Sequence, residues 1–199
     1  MQSKEVHSGI IDPTFLLNAY RHGFFPMADP RTRRIEWYSP DPRAVLEIDE
    51  FKISRSLRQT VRKNVFDVRI NSAFEAVMRE CGKRPETWIS EEIVGSYLEL
   101  HRLGSAHSVE SWKEGSLEGG LYGVVIGGAF FGESMFSSAR DASKVSLVFL
   151  VSRLRERGFL LLDTQFLTPH LARFGAKEIS RHEYLKRLEK ALEFECKFD

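Results

Sequence analysis

Cysteine is nearly absent from this chain: Cys81 and Cys196 are the only two in 199 residues, and they form no CxxC pair. That excludes a disulfide-stapled scaffold and fits a reducing, cytoplasmic setting. Long hydrophobic runs are missing too. The most apolar stretch, residues 121–132, is broken by glycines and falls short of the roughly 18 residues that a membrane span needs. Residues 1–7 lack the apolar centre of a secretion signal. Neither sign of charge is in excess, since 29 Lys and Arg oppose 28 Asp and Glu for a net +1. The histidines at 7, 22, 101, 107, 170 and 182 show neither HxxH nor HExxH spacing, so no metal site is expected. There is no GxxxxGK[ST], no GxGxxG after a strand and no GxSxG. Phosphate-loop, dinucleotide and serine-hydrolase readings therefore fail.

What is present is the composition of a folded globular chain, 42% hydrophobic and 29% charged. Asp12 as N-cap, Pro13 at the first helical position and Gly23 after the last turn bracket a short helix. Pro26, Pro30, Pro40 and Pro42 crowd residues 25–43, which reads as a connector rather than a strand or helix. A boundary near residue 40 is expected. Beyond it the pattern predicts a strand at 44–48, a helix capped by Ser54, and helices over 71–81 and 90–103. Strands follow at 107–113, 117–126 and 129–132, then a helix over 141–157, a strand at 159–162 and helices over 168–175 and 181–193. This interleaving argues for an α/β or α+β fold on one shared sheet.

Three places invite chemistry. At residues 127–137 an apolar strand runs into Gly132-Glu133-Ser134, setting a carboxylate beside hydroxyls and aromatics. Glu133 there can meet an ammonium or guanidinium, or move a proton; a plain internal salt bridge is the alternative. At 161–167, strand alternation puts Asp163 and Gln165 on one side and Thr164 on the other. Buried together, they must be paired or used, and a hydrogen-bonded strand end is the competing reading. The third place is basic. Residues 51–70 carry Lys52, Arg55, Arg58, Arg62, Lys63 and Arg69 against Asp67 alone. Arg55, Arg58 and Arg62 share a helical face with Lys63 beside them, a row that can follow phosphates or simply face water. Cys81 falls on an apolar helix stripe and reads as core.

Ten collinear runs spanning nearly the whole chain carry a resemblance: AYRHGFFP at 19–26, WYSPDPRAV at 37–45, ISRSL at 53–57, TWI at 87–89, HSVE at 107–110, GGLYGV at 119–124, GESMFS at 132–137, ASK at 142–144, LDTQ at 162–165 and HLARFGA at 170–176. Together they resemble the bacterial leucyl/phenylalanyl-tRNA–protein transferase family. The resemblance implies an α+β fold: a GNAT-like acyltransferase domain with a mixed sheet flanked by helices over 41–199, and a small N-terminal domain over 1–40. It implies transfer of leucine or phenylalanine, with methionine a third donor residue, from aminoacyl-tRNA to proteins beginning with Arg or Lys, creating an N-degron. Asp163 and Gln165 match the pair implicated in amide formation, and Glu133 matches the acidic acceptor site. Trp88 matches a side chain that stacks on the terminal adenosine; Met27 stands where the family commonly has a second aromatic. The aminoacyl pocket maps to Leu121, Phe130, Leu147, Leu150 and Leu154, the last two replacing phenylalanines. The row of Arg55, Arg58, Arg62 and Lys63 is expected to hold the tRNA acceptor stem.

An aminoacyl ester is already activated, so attack by an amine needs positioning, oxyanion stabilisation and proton removal but no metal or cofactor. The expected partners are aminoacyl-tRNA and protein substrates, without a membrane, and the expected state is a monomer. Two other readings stand beside this one. An acyl-CoA-dependent GNAT enzyme would need a Gly-rich pyrophosphate loop, which is not found before Ser54 or Asp141. A non-enzymatic tRNA- or degron-binding module would not need Asp163 and Gln165 together.

Overall fold

A computed structural model describes residues 9–199. Residues 1–8, including the stretch read as lacking a secretion signal, lie outside the described residues. The chain opens with α1 (Pro13–Arg21), whose N-cap Asp12 accepts a hydrogen bond from the Phe15 backbone N–H. Gly23 stops it at φ +80°, a left-handed turn that glycine adopts without strain. Residues 25–43 differ from the expected connector. They fold into an antiparallel hairpin of β1 (Phe25–Ala28) and β2 (Ile35–Tyr38), with Pro26 opposite Trp37. Proline is tolerated here because a two-stranded ribbon consists of edges only. Asp29 caps the turn by accepting from the Arg31 and Thr32 backbone N–H groups.

The main sheet has seven strands in the order β4-β5-β6-β7-β8-β3-β9. Its members are β3 (Arg43–Leu46), β4 (Asp67–Ile70), β5 (Ala106–Lys113), β6 (Ser116–Ile126), β7 (Ala129–Ser137), β8 (Leu161–Gln165) and β9 (Ala176–Ile179). Every neighbouring pair is antiparallel except β7 and β8, which run parallel. Strands β4 and β9 were not expected from the sequence. Both are short strands at the sheet's edges, with exposed residues breaking any apolar run. The helices are α2 (Arg55–Arg62), α3 (Phe74–Gly82), α4 (Glu91–Arg102), α5 (Ala142–Glu156), α6 (Pro169–Ala172) and α7 (Arg181–Leu192). Ser54, Ser90, Thr168 and Ser180 cap α2, α4, α6 and α7 through their hydroxyls. Helix α3 begins at Phe74, three residues after the expected start at residue 71, because β4 takes the chain up to Ile70.

Helices cover both faces. One apolar cluster packs α1, α3, α4 and α7 on the sheet through Leu16, Tyr20, Val77, Ile93 and Leu188. The other packs α2 and α5 through Leu57, Val145, Leu150 and Leu154. Residues 9–40 share the first cluster, through Leu16, Tyr20, Phe25 and Ala28, and so pack on the main sheet. The result is a mixed α+β architecture. Among the described residues, no helix is long and apolar enough to cross a membrane.

The sheet is open at one point. The parallel pairing of β7 and β8 is limited to residues 129–131 against 161–163. Beyond it the two strands continue without pairing to each other, β7 as far as Ser137 and β8 as far as Gln165. A wedge results between them.

Candidate active site

The wedge holds a cavity of about 810 Å³. Its walls draw on both faces of the sheet. Leu121, Leu147, Leu150, Leu162 and Leu171 give an apolar side, while Tyr122, Glu133, Thr164, Gln165 and His170 supply polar groups. Met27 and Trp88 stand in the same lining. The hairpin holds Trp88 in place. Arg33, in the turn of the hairpin, donates to the carbonyls of Thr87 and Ile89 on either side of it, and the Ala28 N–H donates to the Trp88 carbonyl.

Glu133 reaches the cavity through a β-bulge. Tyr122 pairs with Ser134 and Gly123 with Gly132, so Glu133 is the extra residue of β7. The close approach there needs Gly123, since a Cβ at that position would stand 2.4 Å from the Phe130 ring. The carboxylate is 9% exposed and receives three donors: Tyr20 Oη and Gln165 Nε2 on Oε1 at 2.7 and 2.8 Å, and Tyr97 Oη on Oε2 at 3.2 Å. The hydroxyls of Tyr20 and Tyr97 also touch one another. Burial pushes the Glu133 carboxyl up to about 7, against the pull of the two tyrosine hydroxyls. The same burial, with Glu133 close by, holds both tyrosines well above the usual phenol range.

Asp163 is fully buried beside the cavity. Arg43 grips it from Nε and Nη2 at 3.0 and 2.6 Å, Tyr184 Oη donates at 2.8 Å, and the Gln165 backbone N–H donates at 2.8 Å. Arg43 is itself 1% exposed, lies between the Phe25 and Tyr184 rings, and donates to the Gly23 carbonyl. Burial works against its charge, but the Asp163 carboxylate outweighs that and raises it. Such a fork-to-carboxylate pair satisfies both charges inside the protein.

The expected grouping on β8 changes here. Thr164 lines the cavity with Leu162, while Asp163 points away to Arg43 and Tyr184. Gln165 rejoins the cavity because its backbone is left-handed, φ +63°. Without that turn, alternation would keep it beside Asp163. A non-glycine residue held this way stores strain of roughly 1–3 kcal/mol, and the Asp163–Gln165 backbone bond maintains it. Gln165 thus joins two carboxylates, by its backbone to one and by its side chain to the other.

Two family models match the chain. The one for leucyl/phenylalanyl-tRNA protein transferase covers residues 45–189, and the one for the N-terminal domain of leucyl/phenylalanyl-tRNA protein transferase covers residues 9–41. The chain belongs to this family. The family's members are tRNA–protein aminoacyltransferases, acyl-transferring enzymes. The leucyl/phenylalanyl-tRNA–protein transferase of Gloeobacter violaceus is 55% identical over 188 residues, covering 94% of this chain and 97% of the relative. That of Rubrobacter xylanophilus is 57% identical over 189 residues, with 94% and 98% covered. The solved structure of L-PGS from Bacillus licheniformis matches at a TM-score of 0.41 and 15% identity, over 80% of this chain and 55% of that one, too distant to bear on the site.

In this transferase the cavity brings together Met27, Trp88, Leu121, Glu133, Leu147, Leu150 and Gln165. Phe130 and Leu154 are outside its wall. Both are completely buried in the core cluster behind the leucines. Arg55, Arg58, Arg62 and Lys63 are exposed on and just after α2, away from the lining, and none has a carboxylate partner among the described residues. Cys81 is buried in α3 with its thiol pushed up to about 12, which suits a core residue. Among the described residues, no three His, Cys, Asp or Glu side chains come together as a metal cluster. The sequence did not single out Tyr20, Tyr97, Tyr122, Tyr184, Arg43, Thr164 or His170 as site residues. Tyr20, Arg43, Tyr122, Thr164 and His170 fall inside the AYRHGFFP, WYSPDPRAV, GGLYGV, LDTQ and HLARFGA runs, the one signal available, and Tyr97 and Tyr184 lie outside every run.

Proposed function

We propose that the wedge is where an aminoacyl ester on the 3′ end of tRNA meets the N-terminal amine of a protein. One observation carries this: a leucine-lined recess and a buried, ionisable Glu133–Gln165–Asp163 network border one cavity. The recess offers a leucyl, phenylalanyl or methionyl side chain an apolar site, and a charged side chain would lose its hydration there without a partner. Trp88 and Met27 are suited to the terminal adenosine, the first by stacking and the second by soft apolar contact. Glu133 has about four acceptor positions and three are filled, leaving one for an Arg or Lys at the start of the acceptor.

In the transfer, the amine nitrogen bonds to the ester carbonyl carbon and the bond to the 3′ oxygen breaks. Gln165 Oε1 has no partner among the described residues and orients the amine. Asp163, locked by Arg43 and Tyr184, fixes the Gln165 backbone rather than touching substrate. The amine proton ends on the departing 3′ oxygen. The exposed row of Arg55, Arg58, Arg62 and Lys63 follows the acceptor-stem phosphates. We read residues 41–199 as a GNAT-like transfer domain and 1–40 as a small N-terminal domain supplying Tyr20 and Met27. The product is an N-degron, and the enzyme works as a cytoplasmic monomer.

The test is incubation with radiolabelled leucyl-tRNA and an Arg-starting peptide, then with acetyl-CoA as donor. Label in the peptide from the first and not the second supports the reading. Transfer from acetyl-CoA alone would replace it with a coenzyme-A enzyme. Binding of tRNA with no transfer from either would leave a binding module.

A further inference from the structure

Among the described residues, three buried side-chain polar atoms have no hydrogen-bond partner: Tyr122 Oη, Thr164 Oγ1 and His170 Nε2. All three residues line the wedge cavity. A buried polar atom left unpaired costs about 1–3 kcal/mol, so such atoms gathered at one cavity point to a ligand that completes them. Tyr122 belongs with Glu133, packing edge-on against Tyr97 at 5.9 Å. Thr164 and His170 are the other two residues of the lining with an unpartnered atom. They come from β8 and α6, next to Gln165 on one side and to Leu171 on the other.

The charges around His170 select an oxygen. Burial first, and then the charges of Lys144 on the cavity lining and of Arg173, hold His170 below the usual imidazole range. That shift leaves the ring neutral near pH 7; Lys144 is itself paired with Asp141 at 2.6 Å, and Arg173 is the cation beside the ring without a carboxylate partner among the described residues. A cation is disfavoured there, whereas an oxygen that gains negative charge is favoured. Glu133, with its three donors, lines the same cavity and suits the amine.

We propose that Thr164 Oγ1–H and His170 Nε2–H donate to the carbonyl oxygen of the aminoacyl ester and stabilise the oxyanion that forms when the amine attacks. This rests on the aminoacyl-transfer reading of the cavity. The carbon–nitrogen bond forms while the carbonyl π pair moves onto oxygen, where the two donors hold it. Collapse restores the carbonyl and expels the 3′ oxygen with the proton that the amine gives up. Thr164 lies directly before Gln165, so the donor to the oxygen and the group that orients the amine are successive residues on one strand.

Removing one preorganised oxyanion donor typically costs about 10²–10³ in rate. Single-turnover transfer of phenylalanine from tRNA to an Arg-starting peptide is measured for wild type, Thr164→Val, Thr164→Ser and His170→Phe. Two adenosine ligands are titrated alongside: a stable 3′-phenylalanyl amide for the ground state and a tetrahedral phosphonate for the oxyanion. We expect the Val and Phe variants to lose roughly 100–1000-fold in rate. Their affinity for the amide should stay within about twofold while their affinity for the phosphonate falls in parallel with rate. Thr164→Ser, which keeps the hydroxyl, should recover most of the loss. Equal weakening of both ligands, unchanged rates, or a Ser variant as impaired as Val would overturn the assignment. If wild type neither transfers phenylalanine nor binds either ligand, the transfer reading itself fails.

Discussion

Asp163→Asn keeps the size of the side chain and removes the negative charge from the most enclosed ion pair among the described residues. Asp163 accepts four hydrogen bonds, from Arg43 Nε and Nη2, Tyr184 Oη and the Gln165 N–H. An asparagine can keep the two on one oxygen. Its amide nitrogen would then face Arg43 Nη2 donor to donor, Tyr184 Oη would have to turn from donor to acceptor, and the guanidinium would stay buried without a counter-charge. Breaking a buried pair in this way costs about 3–5 kcal/mol. For a domain of this size each kcal/mol shifts Tm by about 2–4 °C, so the midpoint should fall by roughly 6–20 °C. The left-handed turn at Gln165 loses its anchor at the same time, and transfer should fall even where the variant is fully folded. Calorimetry paired with single-turnover transfer at 20 °C reads both effects. A Tm within about 2 °C of wild type, together with a large loss of transfer, would refute the positioning role and make Asp163 a chemical participant.

Glu133 sits near 7 in the folded chain and near its ordinary 4.5 when unfolded. Between those values the folded state binds more protons, so its contribution to stability is fully present below about 4.5 and is lost as pH rises through 7. Glu133→Gln lacks this loss and should gain about 1–3 kcal/mol on wild type between pH 5 and pH 8 in denaturant melts, with turnover on Arg-starting peptides lowered; a pH-independent difference would contradict the assigned burial cost. Leu121→Trp should suppress transfer of phenylalanine more than of leucine, by about tenfold in the ratio of kcat/KM, and an unchanged ratio would move the recess elsewhere. Replacing Arg55, Arg58 and Arg62 together by Ala should reduce the slope of log affinity for aminoacyl-tRNA against log salt by about 2–3, while transfer from a minimal aminoacyl-adenosine stays near wild type.

Local chemistry made much of this protein legible in its sequence. Asp12, Ser54, Ser90 and Thr168 each start the helix expected of them, because a side-chain oxygen next to a free backbone N–H is a contact made within one turn. Helices α4 and α5 and the run from β5 to β7 were readable because each extends over many residues. The motif-bearing runs also carried the family, and with it Glu133, Asp163 and Gln165. Tertiary structure alone decided how those residues meet. Pro26 became a strand residue because it found Trp37 across a hairpin. β4 and β9, four residues each, owe their existence to the strands beside them. Alternation placed Asp163 and Gln165 on one side, but a left-handed residue at the end of β8 separated them. Phe130 and Leu154, which the resemblance assigned to an aminoacyl pocket, are fully buried and absent from the cavity lining. The tyrosines on Glu133, the arginine on Asp163 and the wedge itself depend on contacts between residues up to about 120 positions apart. Those contacts form only when two faces of one sheet are covered and its single parallel pair is allowed to part.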